Sequence, residues 1–382
     1  MKVLVLGADG YLGWATCMHF SCKGHEVTAV DNYFRRNASE RLGCPPLIPT
    51  PGLPQRAKTW KGMGGGAIRV LTGDITDYDF LLAVFGLCQP EVVIHYAEQP
   101  SAVYSMMDRD TAAFTVQNNL VGTLNLAYAV KETGSACHII KLGTMGEYGT
   151  PDIDIEEGWL EIEHKGRKDR FLFPRQAGSI YHTSKIQDTD LLWFFARTWG
   201  LSVTDLMQGP VYGISTEEDN MYPDLMPNFS YDEVFGTVLN RFVVQAVAGH
   251  PLTVYGRGGQ ARGYINIKDT LQCVYLSSML PPGPGELRVF NQMTETFTVN
   301  DLATKVRKAG EKLGYEVKIG HMENPRVEQE EHYYNPKYTG LMELGLKPHY
   351  LTDDVLEGMF RLVAGYKSRI NRASIFRGVK WR

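Results

Sequence analysis

The sequence predicts an α/β protein: a doubly wound parallel sheet with a smaller C-terminal substrate lobe. Three observations predict it. An apolar run, Lys2-Val3-Leu4-Val5-Leu6, feeds straight into Gly7-Ala8-Asp9-Gly10-Tyr11-Leu12-Gly13. Further strand-like runs alternate with helix-period segments, the pattern of βαβ units. A tyrosine stands four residues ahead of a lysine at Tyr181 and Lys185, which on a helix share one face.

The totals exclude several classes of function. The chain has 382 residues, 43% hydrophobic and 21% charged, ordinary for one large globular unit. Its formal net charge of -4 and lack of a long basic run argue against a nucleic-acid partner. Six cysteines show neither C-x-x-C nor paired metal spacing, so reduced thiols and no metal site are expected. No apolar stretch approaches the roughly 18 residues of a membrane span. The first strand begins at Lys2, leaving no room for a leader, so a cytoplasmic protein is expected.

Each element then has its reason. The strand Lys2–Leu6 is apolar on both faces, as in a buried parallel sheet. Gly7 permits the tight turn, Gly10 lets the backbone approach a pyrophosphate, and Gly13 lets helix pack on strand. The helix that follows turns its N-terminal N–H groups towards the phosphates. Together these make a Rossmann-type fingerprint. The second strand, His25 to Val30, ends at Asp31, where an acid meets the adenosine ribose hydroxyls. Asp31 repels a ribose phosphate and favours NAD. Arg35 and Arg36, close behind, could seat that phosphate or serve as solvated surface charge.

Residues 44–66 carry Pro45, Pro46, Pro49, Pro51, Pro54 and Gly64-Gly65-Gly66, and read as a long loop inside the nucleotide domain. The third strand, Ile68 to Leu71, leads to Gly73-Asp74-Ile75, where Asp74 can accept the adenine amino group or cap a helix. Val92 to His95 is the fourth strand, leading into Tyr96-Ala97-Glu98-Gln99-Pro100 at the switch region of the sheet. Gln117-Asn118-Asn119 opens a helix over Leu120 to Lys131, its amides free to order strand ends or pack in the core. The fifth strand, His138 to Leu142, delivers Thr144. Cys137, early in that strand, is a core thiol rather than a nucleophile.

Residues 151–178 form an insertion in which Trp159–Glu163 and Arg170–Phe173 read as a hairpin, placed to roof or border a sugar pocket. Helix 180–199 then carries Tyr181, His182 and Lys185. An ammonium beside a phenol pulls the tyrosine pKa down, so Tyr181 can take a proton from a sugar hydroxyl. A strand over Ser202–Met207 follows. Residues 1–210 are thus expected to form the nucleotide domain and 211–382 mainly the sugar lobe, interleaved with it. In the second part Arg241, Arg257, Arg262 and Arg326 are separate arginines of the kind a diphosphate recruits, or solvated surface charge.

These motifs identify a resemblance. The chain is similar to the extended short-chain dehydrogenase/reductases that act on nucleotide sugars, and within them to the UDP-sulfoquinovose synthase family. The resemblance covers roughly residues 1–350. It rests on Gly10-Tyr11-Leu12-Gly13-Trp14-Ala15-Thr16, Lys141-Leu142-Gly143-Thr144-Met145-Gly146-Glu147-Tyr148-Gly149 and Tyr181-His182 with Ser184-Lys185. Val254-Tyr255-Gly256, Asn324-Pro325-Arg326-Val327-Glu328 and Glu330-Glu331-His332-Tyr333-Tyr334-Asn335 complete it.

The resemblance implies NAD held along Gly7 to Gly13 (Tyr11 and Leu12 included), Asp31-Asn32 through Arg35, Asp74-Ile75, Asn118 and Val211, with Tyr181 and Lys185. It implies catalysis by Thr144, Tyr181 and Lys185, and a UDP-sugar held by Thr144, Gln208, Arg241, Val254, Gln260, Arg262 and Arg326. The implied partners are UDP-glucose and sulfite, and the implied assembly a homodimer through helices near 103–131 and 180–199. The implied reaction oxidises carbon 4, eliminates across carbons 5 and 6, adds sulfite at carbon 6 and returns the hydride.

Sugar dehydratases of the wider family place Asp-Glu directly after the threonine, whereas Met145-Gly146 stands here. Glu147 and His182 are therefore the candidates for the carbon 5 and carbon 6 proton transfers. His182 could equally be a packing histidine. Pro100 stands where plant-type members carry an arginine near the substrate, so sulfite must find positive charge elsewhere. A UDP-sugar 4-epimerase, a 5,6-dehydratase and a non-catalytic NAD-binding sensor are the alternatives on one scaffold. Retention of Tyr181 with Lys185 argues against the sensor.

Overall fold

Seven parallel strands make the central sheet of the computed structural model, which describes residues 1–325, 332–379 and 381. In chain order the strands are β1 (Lys2–Leu6), β2 (Glu26–Asp31), β3 (Ile68–Thr72), β4 (Val92–His95), β5 (His138–Thr144), the hairpin β6 (Trp159–His164) and β7 (Arg167–Leu172), and β8 (Ser202–Gln208). Then come β9 (Val211–Tyr212), β10 (Leu252–Tyr255), β11 (Ala261–Asn266), β12 (Leu287–Gln292), β13 (Glu295–Thr298) and β14 (Ile319–Met322). The sheet order is β12-β8-β5-β4-β1-β2-β3. The chain reverses direction across the sheet between β1 and β4, and a crevice at such a switch point receives ligands. Both faces are covered, and the inner strands are buried along their length.

Helices α1 (Gly13–Cys22), α2 (Phe34–Arg41), α3 (Leu53–Gly62), α4 (Tyr78–Cys88), α5 (Arg109–Glu132) and α6 (Ile180–Trp199) belong to the nucleotide half. Three differ from the sequence expectation. The proline-rich stretch is not all loop: α3 forms inside it, with Pro54 in the first turn, where its missing N–H costs nothing. Trp60 of α3 is buried against α1, its indole N–H donating to Ser21 Oγ at 3.1 Å. Helix α5 begins well before Gln117, because Asp108 caps it in a reciprocal capping box with Thr111. Asp77, not Asp74, caps α4.

The hairpin β6–β7 forms as expected and turns through Lys165 and Gly166, both with left-handed backbone. The insertion borders the main cavity through its last residues rather than through the hairpin. Trp159 packs edge-on against Trp193 of α6 with ring centres 5.0 Å apart, and the hairpin contributes nothing to the main cavity. The segment just after it does, through Gln176, Ala177 and Gly178.

A smaller lobe packs around helices Val238–Ala248, Val299–Lys312 and Asp353–Gly365, which share an apolar core with β10 and the ring of Tyr264. Strand β12 returns from it to the edge of the main sheet beside β8. Among the described residues no helix is long and apolar enough to cross a membrane.

Candidate active site

A cavity of about 690 Å³ opens between the sheet and the smaller lobe. Its floor is the glycine turn. Gly7 has φ of +85°, and a Cβ there would lie 2.6 Å from the Tyr96 carbonyl carbon. At Gly13 a Cβ would lie 2.1 Å from the Gly7 carbonyl oxygen, so helix α1 can meet β1 this closely only through glycine. A Cβ at Gly10 would press on the same oxygen at 3.2 Å. These are cradle positions that a side chain would fill, and they fit a dinucleotide pyrophosphate.

Asp31 ends β2 on the cavity wall and accepts N–H bonds from Asp9 at 2.7 Å and Tyr33 at 2.6 Å. Burial, with Asp9 nearby, pushes its carboxyl up to about 6. Tyr11, Leu12, Asn32, Arg35, Ile75, Asn118 and Val211 also reach the wall. The Tyr11 phenol bonds to the Gly213 carbonyl, tying the glycine turn to the second half of the chain. Asp74 does not reach the wall: its carboxylate is occupied by Asn32 Nδ2 at 2.8 Å and Thr76 Oγ1 at 2.7 Å. It acts there by fixing Asn32, and the neighbouring part of the wall is Gly73 and Ile75.

Thr144, Tyr181 and His182 line the same cavity. Thr144 is the last residue of β5, and its hydroxyl accepts from Gly146 N at 3.2 Å. Ser179 caps α6 by accepting from His182 N at 3.1 Å, which sets Tyr181 and His182 in the first turn. A Cβ at Gly146 would lie 2.4 Å from His182 Nε2. The imidazole therefore takes the space that a side chain at position 146 would fill.

The expected depression of the tyrosine pKa is corrected. Lys185 is 2% exposed and lies behind the cavity wall, its ammonium paired with Glu98. Burial disfavours that ammonium, but Glu98 and Asp188 outweigh burial and hold the Lys185 pKa up. Burial, together with the Glu98 and Glu147 carboxylates, pushes the Tyr181 phenol above its ordinary value. The lysine's charge is paired with the Glu98 carboxylate.

Glu147 is corrected too. Its side chain is wholly buried and contributes nothing to the cavity wall. Glu147 lies 3.5 Å from Lys141 Nζ and 3.6 Å from Arg175, and its Oε1 accepts from Thr144 N at 3.3 Å. A carboxylate held this way orients the threonine strand end and cannot meet a sugar proton.

Titratable residues to which the sequence analysis gave no role complete the layer under the site. Lys141 Nζ is 3.0 Å from Asp205 and 2.6 Å from Thr189 Oγ1. Asp188, fully buried, is pushed well above the ordinary carboxyl range by burial and by Glu98. Glu98 also lies 3.6 Å from His95 Nε2, and burial lowers that imidazole to about 4, leaving it neutral.

On the sugar side Gln208, Arg241, Gln260 and Arg262 reach the wall. Arg241 Nη2 is 3.4 Å from Thr253 Oγ1, and its guanidinium lies 5.8 Å from the centre of the Tyr255 ring. Val254 does not reach the wall. Residues of a strand alternate sides, so Thr253 and Tyr255 of β10 face the cavity and Val254 lies in the core at 0% exposure. Arg326 lies outside the described residues. Pro100 lines the wall. Cys137 is buried, and burial pushes its thiol up to about 12.

Three comparisons bear on this geometry. Residues 3–281 match the model of the NAD dependent epimerase/dehydratase family. The chain is 51% identical over 381 residues to the chloroplastic UDP-sulfoquinovose synthase of Spinacia oleracea, covering all of this chain and 79% of that protein. It is 46% identical over 385 residues to the UDP-sulfoquinovose synthase of Sulfolobus acidocaldarius, covering 100% and 98% of the two. Among solved structures, UDP-glucose 4-epimerase from Bifidobacterium longum, in complex with NAD+ and UDP, superposes with a TM-score of 0.71 at 20% identity. That match covers 94% of this chain and 97% of the epimerase, and shows the shared fold.

Proposed function

The chain belongs to the NAD-dependent epimerase/dehydratase family, and from that membership we propose that it acts as a UDP-sulfoquinovose synthase, making UDP-sulfoquinovose from UDP-glucose and sulfite. The observation that carries this reading is that Thr144, Tyr181 and His182 line the same cavity as the glycine turn and the arginines Arg241 and Arg262. Gly7, Gly10, Gly13 and Asp31 would hold NAD. Bound there, it would supply reversible hydride transfer at the sugar and a positively charged ring in the cavity.

The protein's own groups do the rest. Arg241 and Arg262, with Gln208 and Gln260, hold the UDP moiety by multidentate bonds to its diphosphate and rings. With the positively charged ring in the cavity offsetting the burial and the carboxylates that hold the phenol up, Tyr181 would take the proton of the carbon 4 hydroxyl, and Thr144 donates to that oxygen as it becomes a ketone. Lys185, behind the wall and paired with Glu98 on it, keeps the phenol in register. The carbon 4 ketone acidifies the hydrogen on carbon 5. His182 removes that proton and delivers it to the departing carbon 6 hydroxyl, in the space where an Asp-Glu dehydratase carries its own acid. Sulfite, arriving as bisulfite, then adds to carbon 6 while the proton it brings passes to carbon 5, and Tyr181 returns its proton to the carbon 4 oxygen as that carbon is reduced again. With Pro100 on the wall, the imidazole N–H of His182 is also the donor that meets the incoming anion.

His182→Gln is expected to lower formation of the sulfonated sugar by roughly 10² or more, while UDP-glucose still binds. Exchange of the carbon 5 hydrogen with deuterated water, followed by NMR, should fall in parallel. Wild-type exchange in this variant would remove His182 from the elimination. The reading as a whole is tested by the mass of the product formed from UDP-glucose with and without sulfite. A sulfonated UDP-sugar that requires sulfite supports it. UDP-galactose formed without sulfite would mark an epimerase, and binding without turnover a sensor.

A further inference from the structure

Asp9 is an unusual residue to find inside a pyrophosphate turn, since it places a carboxylate where the ligand is an anion. Its side chain is 4% exposed and lines the cavity. It grips Arg36 through two parallel bonds, Nε to Oδ2 at 2.9 Å and Nη2 to Oδ1 at 2.8 Å. The remaining donors of Arg36 are taken by the proline-rich segment, Nη1 by the Thr50 carbonyl at 2.7 Å and Nη2 by the Pro51 carbonyl at 3.3 Å. Arg36 is therefore folded down onto the glycine turn. Its neighbour Arg35 points across the cavity, with Nη2 3.0 Å from Ser230 Oγ and its guanidinium 5.5 Å from the Phe235 ring. Arg36 is thus not left to meet a phosphate on the adenosine ribose, and Arg35 is turned towards Ser230.

We infer that Asp9 is a specificity-determining residue: by latching Arg36 onto the glycine turn it holds this protein to NAD and excludes NADP. The inference rests on the reading of this cavity as a dinucleotide site. Asp31 contributes its own repulsion of a 2′-phosphate, but Asp31 is engaged by the N–H groups of Asp9 and Tyr33 and holds no arginine by its side chain. The latch removes the cation that would otherwise balance such a phosphate. Bidentate guanidinium–carboxylate and guanidinium–phosphate pairs use the same fork of donors, so Arg36 can serve one or the other. The proline-rich segment, which the sequence marked as long and irregular, gains a role as the shelf on which Arg36 lies.

The test is direct binding of NAD+ and NADP+ to the full chain by calorimetry, with thermal unfolding of each variant in parallel. Asp9→Asn is expected to tighten NADP+ at least tenfold relative to NAD+, and Arg36→Ala in the same background to abolish the gain. Asp9→Asn also deprives buried Arg56, 3.7 Å from Asp9, of a carboxylate partner and could lower stability. Asp31→Asn supplies the independent arm, since it leaves the Asp9–Arg36 pair in place. NADP+ should then remain weak, with less than a tenfold gain. Strong NADP+ binding by Asp31→Asn, or an unchanged nucleotide preference in folded Asp9→Asn, would overturn the inference. Failure of the wild-type chain to bind either nucleotide would instead overturn the dinucleotide reading on which it rests.

Discussion

Replacing Tyr181 by phenylalanine is expected to cut turnover by roughly 10² to 10⁴ while the fold and the bound NAD are retained. The substitution removes one oxygen and nothing else that positions the helix. The Tyr181 backbone N–H bonds to Ser105 Oγ at 3.0 Å, and Ser179 caps the first turn of α6, both independent of the phenol. The loss should fall on kcat, since the phenol acts on the reacting hydroxyl rather than on the nucleotide. Thr144→Ala is the natural companion, with Thr144→Ser restoring the donor. Single-turnover absorbance of the reduced cofactor, read alongside product mass, checks it. Turnover of Tyr181→Phe within a few-fold of wild type would remove the phenol from the chemistry.

Lys141→Met is expected to destabilise the protein by about 3–5 kcal/mol, the range for breaking a buried pair by removing one partner. Lys141 is fully buried, and the register of β5 on β8 sets it directly opposite Asp205. Glu147 and Thr189 close around the same ammonium at 3.5 Å and 2.6 Å. Without it, Glu147 and Asp205 would face each other as buried acids, with Arg175 the nearest cation, 3.6 Å from Glu147. Urea unfolding followed by circular dichroism measures the loss. The double variant Lys141→Met with Asp205→Leu should recover part of it, because the pair is then removed together. A change below about 1 kcal/mol in the single variant, in the range of an exposed pair, would show that this network is not what holds the threonine strand.

The part of the site that was legible in the sequence is the part built from local spacing. The glycine turn, Asp31 at a strand end, Thr144 after a strand, and Tyr181 four residues before Lys185 are all short-range patterns. The hairpin and its Lys165-Gly166 turn were legible for the same reason. What escaped is non-local. Glu98 and Lys185 are 87 residues apart, and only the order of β4, β5 and α6 brings them together. Lys141 and Asp205 did leave a trace: each is a charge in the middle of an otherwise apolar strand, in Ile139-Ile140-Lys141-Leu142 and Val203-Thr204-Asp205-Leu206. A charge buried in that way requires a partner. Reading that trace would also have shown that Glu147 points to Lys141 rather than to the sugar. The same omission explains the tyrosine. The helix spacing put Lys185 near Tyr181 but could not show that its charge is paired with Glu98. The role of Val254 failed on a simpler point, since strand alternation turns it away from the face that Thr253 and Tyr255 present.

The central claim is that one hexose is oxidised, substituted and reduced again without leaving the cavity. UDP-glucose carrying deuterium on carbon 4, incubated with the protein, NAD and sulfite, tests it most directly by mass and NMR of the product. The expected result is UDP-sulfoquinovose that has gained sulfur on carbon 6 and still carries the deuterium on carbon 4. A product with no sulfur, or one that has lost the label to solvent or to free NADH, would contradict it.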